Sequence, residues 1–143
     1  MTTELAMAAV IAALGLFQVA WGAFEYRRVH GLVYANTARD KPPAEKDSPL
    51  LGRVLRAQAN LMETAPYFIA ICLVLTMAHS GTQVTRIAAL VFVAARLIYL
   101  PLYAAGVPNL RGLVWTISFI ALAVMAWAAL SPIPWAAVLR LGH

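Results

Sequence analysis

Residues 5–24 read LAMAAVIAALGLFQVAWGAF, a run of twenty residues in which Gln18 is the only strongly polar side chain. A helix needs about 20 mainly apolar residues, with a rise of about 1.5 Å each, to cross about 30 Å of hydrocarbon. Three more apolar runs of similar length lie at 61–78, 84–105 and 113–130. The chain therefore has the pattern of four membrane-spanning helices.

The composition agrees with a membrane location. Of the 143 residues, 62% are hydrophobic and 12% are charged, whereas soluble domains average roughly 25% charged residues. A soluble chain of this length could not bury so much apolar surface, because small domains leave much of their area in water. We expect an all-α membrane protein with one four-transmembrane-helix bundle domain over residues 1–143. Its helices are predicted at approximately 4–28, 49–79, 83–105 and 110–130.

Two residues are predicted to cap helices. Ser48 precedes Pro49, and this pair is typical of an N-cap followed by proline at the first helical position. Asn109 is the predicted cap of the fourth helix, which should end at residues 131–134. The connection at 79–83 is short, so the second and third helices should be antiparallel neighbours.

The basic residues indicate the orientation in the membrane. Most lie in the first connection or after the third one: Arg27, Arg28, Arg39, Lys41, Lys46, Arg53 and Arg111. Arg86 and Arg140 lie on the other side. By the positive-inside bias we expect cytoplasmic first and third connections and both termini outside. The short chain and its Ala-rich helices favour a bacterial inner membrane. The net charge of +5 is thus mostly a topology signal, and no nucleic-acid partner is expected, because no basic stripe lies on a soluble face.

Neither the cysteine nor the histidines indicate a metal site. Cys72 is the single cysteine and lies in mid-span, where a buried thiol is usually inert packing. His30, His79 and His143 are scattered and lack metal-ligand spacing. We therefore expect no metal.

Two helices carry polar side chains along one face each. They are Arg56, Asn60 and Glu63 on the second helix, and Arg96, Tyr99 and Tyr103 on the third. The spacings of i, i+4, i+7 and i, i+3, i+7 each span about 60° of a helix, and both stripes should meet at similar depth. A charge at mid-bilayer costs about 2.5 kcal/mol or more, so such residues are usually functional and paired. The simpler alternatives are a structural ion pair between Glu63 and Arg96, and an Arg56 that only reaches the headgroups.

Arg111 lies in the first turn of the fourth helix, where the helix dipole disfavours a cation by up to about 1 kcal/mol. It is either a topology-setting arginine or shares an anion with the free backbone N–H groups. A thiolate would suit that second role, because a helix N-terminus and a nearby arginine both favour it.

The segment 56–63, RAQANLME, resembles the RA(H/Q)xNxxE signature of the MAPEG family, the membrane-associated proteins of eicosanoid and glutathione metabolism. Residues 95–99, ARLIY, followed by Tyr103, are similar to the third-helix pattern of that family. Arg111 stands where the family places the arginine that opens helix four, and Arg28 resembles the basic end of helix one. The resemblance extends over nearly the whole chain.

The resemblance implies a homotrimer that binds glutathione, as a co-substrate, between neighbouring subunits near the cytoplasmic face. The residues that it assigns to glutathione are Arg56, Asn60, Glu63, Arg96, Tyr99 and Tyr103. Arg111 would stabilise the thiolate, and Arg28 would act from the adjacent subunit. A lipophilic small molecule would reach the sulfur from the bilayer.

Three positions depart from particular family members. Gly112 and Trp115 stand where the prostaglandin E synthase has serine and tyrosine, and Ala59 stands where some members carry an arginine. These differences favour a transferase or peroxidase reaction over the prostaglandin isomerase reaction.

Our first hypothesis is therefore a membrane-bound glutathione transferase or peroxidase that acts on lipophilic electrophiles. An alternative is a non-enzymatic lipid-binding or scaffold protein of the same fold. A third is a small proton-coupled transporter that uses Glu63, although Arg96 within reach would hold that carboxylate ionised.

Overall fold

The computed structural model of the protein describes residues 1–41 and 48–134, which form helices and connections without a strand. Its helices are α1 (Thr3–His30), α2 (Leu32–Ala35), α3 (Pro49–Met77), α4 (Gln83–Ala105) and α5 (Pro108–Leu130). All but α2 are long and apolar enough to cross a membrane. The prediction of four such helices is confirmed, whereas α2 was not predicted. Lys46, Arg140 and His143 lie outside the described residues.

The predicted helix starts are right in one case and wrong in another. Ser48 is the N-cap of α3, and its Oγ accepts a hydrogen bond from the Leu51 backbone N–H at 3.4 Å. The prediction for Asn109 is wrong, because α5 already begins at Pro108, with Val107 at the N-cap and no side-chain cap. Proline has a fixed φ that suits the first helical position, so Asn109 lies inside the first turn. The end of α5 at Leu130, with Ser131 as C-cap, is as predicted.

The bundle consists of two helix pairs packed together. α1 lies along α3 and α4 lies along α5, and α4 also contacts both α1 and α3. The Phe68 and Phe92 rings stack in the core between α3 and α4, with centroids 4.2 Å apart. The second and third transmembrane helices are thus neighbours, as predicted. Cys72 is fully buried in the same core.

The two ends of the bundle differ in charge. α1 and α4 finish, and α3 and α5 begin, at the end that we call the basic end. Its arginines are Arg27, Arg28, Arg53, Arg56 and Arg111. Arg53 links α3 to α4 here, because its Nη1 donates to the Ala104 carbonyl at 3.3 Å. α4 ends beside it at Gly106, whose φ of 79° is one that glycine adopts without strain.

At the opposite end, a buried carboxylate joins α1 to α4. Glu4 is 2% exposed, and its Oε1 accepts a hydrogen bond of 2.7 Å from the Thr85 hydroxyl. The Thr85 oxygen in turn accepts from the Thr82 backbone N–H at 2.8 Å. A Cβ at Gly81 would lie 3.0 Å from the Glu4 carboxylate, so the absence of a side chain there gives the acid its space.

Replacing Thr85 with valine should lower the free energy of unfolding by about 1–3 kcal/mol, because the buried Glu4 carboxylate loses its hydrogen-bond donor. Denaturation in detergent, followed by circular dichroism, measures the change. Thr85→Ser keeps the hydroxyl and should unfold near the wild-type midpoint. Equal midpoints for Thr85→Val and wild type would show that this contact does not stabilise the bundle.

Candidate functional site

The central residue of the site is Arg96, whose side chain is 1% exposed within the membrane-spanning part of α4. Its Nη1 donates to Asn60 Oδ1 at 2.7 Å, and its Nη2 donates to Thr64 Oγ1 at 2.9 Å. Both acceptors lie on α3, one helical turn apart. We call these three residues the buried arginine cluster. The cluster shows that the polar stripes of α3 and α4 meet at the same depth, as the sequence predicts.

The structure does not form the alternative ion pair between Glu63 and Arg96. Glu63 is exposed on α3, whereas the Asn60 amide and the Thr64 hydroxyl occupy the two terminal nitrogens of the guanidinium. Among the described residues, the ion pair within 4.0 Å joins Arg28 to Glu25. The hydrogen-bond partners of the Arg96 guanidinium are therefore neutral groups.

Aromatic rings extend from the buried arginine cluster to the basic end. The Tyr99 ring lies 5.7 Å from the Arg96 guanidinium carbon, and the Tyr103 ring meets Tyr99 edge-on with centroids 5.4 Å apart. The guanidinium carbon of Arg111 then lies 4.5 Å from the centre of the Tyr103 ring, within cation–π range. Tyr99 and Tyr103 thus link the buried guanidinium of Arg96 to the half-buried guanidinium of Arg111.

Arg56 and Glu63 lie on the exposed side of the α3 stripe. The Arg56 guanidinium lies back over its own helix, since a Cβ at Gly52 would be 3.1 Å from Nη1. Neither charge has an ion partner among residues 1–41 and 48–134. The single chain therefore presents a cation and an anion on its surface, on either side of the half-buried Asn60.

Arg28 is separate from these residues. Its Nη2 lies 2.8 Å from Glu25 Oε2 in a pair within α1, and its side chain remains 56% exposed. The eight predicted site residues thus fall into three places. The structure brings together Asn60, Arg96, Tyr99, Tyr103 and Arg111, while Arg56 and Glu63 lie on the outer face and Arg28 lies on α1.

Sequence reasoning missed Thr64, which supplies the second acceptor for Arg96. Its position four residues after Asn60 places it on the same helical face, and this spacing could have identified it. Threonine is common in membrane helices, however, because its hydroxyl can bond to its own backbone, and here it also donates to the Leu61 carbonyl at 3.3 Å.

The cluster also orients the Asn60 amide. Because Oδ1 accepts from Arg96, the Nδ2 group of the same amide is directed away from the guanidinium, on the half-buried side of α3. The arrangement can therefore offer an N–H donor between an exposed cation and an exposed anion. Such a surface suits a ligand that carries carboxylates, an ammonium and amides.

Thr64→Val should destabilise the fold by about 1–3 kcal/mol, because it leaves one N–H group of a buried guanidinium without an acceptor. Thr64→Ser restores the oxygen and is the matched control. Thermal unfolding of both variants in the same detergent measures the difference. If valine and serine unfold alike, the Thr64 hydroxyl has no part in stabilising Arg96.

Comparisons with known proteins identify the family of the chain. A search of curated proteins finds no match to the chain. The sequence model of the MAPEG family matches residues 5–131, which include all four long helices almost completely and every residue of the site. The chain is therefore an integral multi-pass membrane protein that belongs to the MAPEG family.

Proposed function

We propose that the protein is a membrane-bound glutathione transferase or peroxidase that acts on lipophilic electrophiles. Membership of a family of glutathione and eicosanoid metabolism supports the class of function. The observation that carries the proposal is the α3 surface, where Arg56 and Glu63 are exposed without ion partners beside an amide that Arg96 holds from behind.

The charges of that surface complement glutathione. The tripeptide carries two carboxylates, one ammonium and two amides. Arg56 would bind a carboxylate, for which an arginine fork is well suited, and Glu63 would bind the ammonium. The Nδ2 group of Asn60 would donate to a carbonyl or carboxylate oxygen between them.

In this arrangement Arg96 and Tyr99 would act on glutathione without touching it. Both side chains are buried, at 1% and 6% exposure, and the terminal nitrogens of Arg96 are already bonded to α3. Their role would be to fix the Asn60 amide and the Tyr103 ring. Tyr103 and Arg111, which are half-buried, remain available to the ligand.

Arg111 would hold the sulfur as a thiolate. It lies in the first turn of α5, where unpaired backbone N–H groups add to the positive potential. The sulfur would form a bond to an electrophilic carbon, and the leaving group would depart with the bonding electrons. With a hydroperoxide, the thiolate would attack the outer oxygen to give a sulfenic acid. The alkoxide would leave and take up the proton released when the thiol ionised. The thiol of a second glutathione would then convert the sulfenic acid to the disulfide and water.

The remaining assignments require a neighbouring subunit and the bilayer. We propose that a homotrimer forms, in which Arg28 approaches the ligand from the adjacent protomer, because within one protomer it contacts none of the other site residues. A groove of about 510 Å³ between α1 and α3 begins at Met62 and runs past Pro66 and Ile69. This apolar groove would admit a lipophilic substrate from the membrane.

Glutathione should stabilise the purified protein. A ligand that binds only the folded state adds about 2.7 kcal/mol at 100 times its dissociation constant. Thermal unfolding in detergent, with and without millimolar glutathione, should show a clear upward shift that Arg56→Ala removes. Arg86→Ala, an exposed arginine at the opposite end, is the matched control and should keep the shift. An unchanged midpoint of the wild type at saturating glutathione would contradict the proposal.

Arg111→Ala should abolish conjugation of an aromatic halide and reduction of a lipid hydroperoxide, while the fold and the oligomeric state persist. The reason is that the thiolate loses its nearest cation, although the α3 surface still binds the tripeptide. Turnover with both substrates, together with size-exclusion chromatography, measures the two effects. Full activity of this variant would rule out the role of Arg111.

A further inference from the structure

Gln18 is a buried polar residue that the proposed function does not use. It lies at the middle of α1, within the apolar run 5–24, and is 1% exposed. Its Oε1 has no hydrogen-bond partner among the described residues. A buried polar group left without a partner costs about 1–3 kcal/mol, so an amide at this depth needs an explanation in the surrounding helices.

The packing of α1 against α3 shows which residues of α3 lie at the same height in the bundle as Gln18. One turn before it, a Cβ at Gly15 would meet Met62 Cε at 3.0 Å, and one turn after it, a Cβ at Gly22 would meet Gln58 Oε1 at 3.1 Å. α1 and α3 run in opposite directions, so Gln18 lies level with the residues between 58 and 62. Asn60 is at the centre of that interval.

The same level contains a second unpartnered polar atom. Arg96 is bonded to Asn60 through Nη1, but its buried Nε has no hydrogen-bond partner among residues 1–41 and 48–134. α1 contacts α4 as well as α3. The Arg96 guanidinium reaches the level of Asn60, so an unpartnered acceptor on α1 and an unpartnered donor on α4 lie at about the same height in the bundle.

We propose that Gln18 is a positioning residue for Arg96, and that its Oε1 accepts a hydrogen bond from the Arg96 Nε–H group through one internal water. An internal water needs at least two polar partners, and these two atoms supply them. The guanidinium would then be held on three sides, by Asn60, Thr64 and the Gln18 water site. Its effect on ligand binding rests on the proposed function, whereas the hydrogen bond itself does not.

The link would act on the ligand through Asn60. Arg96 sets the direction of the Asn60 amide, so a guanidinium that can tilt about its two remaining bonds no longer holds Nδ2 in one orientation. Loss of the Gln18 carbonyl should therefore weaken glutathione binding about five- to tenfold, the size of one lost hydrogen bond. Gln18→Met has nearly the same volume and removes only the polar group.

The test is the Nε–H resonance of Arg96 in protein labelled with ¹⁵N-arginine, recorded in detergent without ligand and assigned from its loss in Arg96→Lys. Gln18→Met should shift this resonance, whereas Leu14→Met, one turn away on the buried side of α1, should leave it in place. Gln18→Glu should shift it further, because a carboxylate of the same length is a stronger acceptor for the bridging water, and should retain glutathione affinity. These variants separate loss of the acceptor from a change in packing.

An Nε–H resonance that is the same in wild type, Gln18→Met and Gln18→Glu would overturn the proposal. If Gln18→Met does not fold, the Gln18→Glu spectrum alone decides, by the same criterion. A wild type that fails to bind glutathione, but whose resonance still responds to both substitutions, would contradict the proposed function and leave the link between Gln18 and Arg96 established.

Discussion

The guanidinium of Arg96 is a permanent positive charge inside a bundle that is apolar on almost every other side. A charge in this environment persists only where several dipoles are directed at it. Asn60 and Thr64 meet that requirement from a neighbouring helix, and the Phe92 and Tyr99 rings cover the guanidinium at 5.3 and 5.7 Å. A slip of α3 against α4 by one residue would break both hydrogen bonds. The charge therefore specifies the register of the two helices as well as the direction of the Asn60 amide.

The polar residues of the protein differ in whether they have hydrogen-bond or ion partners within the chain. Most charged or hydroxyl groups inside the bundle have a hydrogen-bond partner, as the Glu4–Thr85 and Arg96–Asn60 contacts show, whereas Gln18 Oε1 and Arg96 Nε have none among the described residues. Arg56 and Glu63 are exposed on α3 without an ion partner in the described part of the chain. Interior polar contacts thus maintain the fold, and the outer charges leave binding capacity for something beyond one protomer. This division is the physical basis on which we propose a site shared between subunits.

Hydropathy and helical periodicity were enough to predict the four long helices and the two polar stripes, because both signals are local. They could not identify the partner of Arg96. A stripe about 60° wide contains Asn60 and Glu63 on its two sides, and only the rotation of α3 against α4 decides which side faces inward. The prediction that Asn109 caps α5 is wrong for a local reason, since Pro108 begins the helix one residue earlier. α2, which has four residues after Gly31, has too short a pattern to be detected. The roles of the site residues in binding and catalysis stay predictions.

The connection between α4 and α5 consists of Gly106 and Val107 alone. A two-residue turn leaves these helices little freedom to move relative to each other, and it lies between Tyr103 and Arg111, whose ring centre and guanidinium carbon are 4.5 Å apart. An anion that reaches the Arg111 guanidinium therefore meets a residue whose helix is already held in place, and association does not have to order that helix.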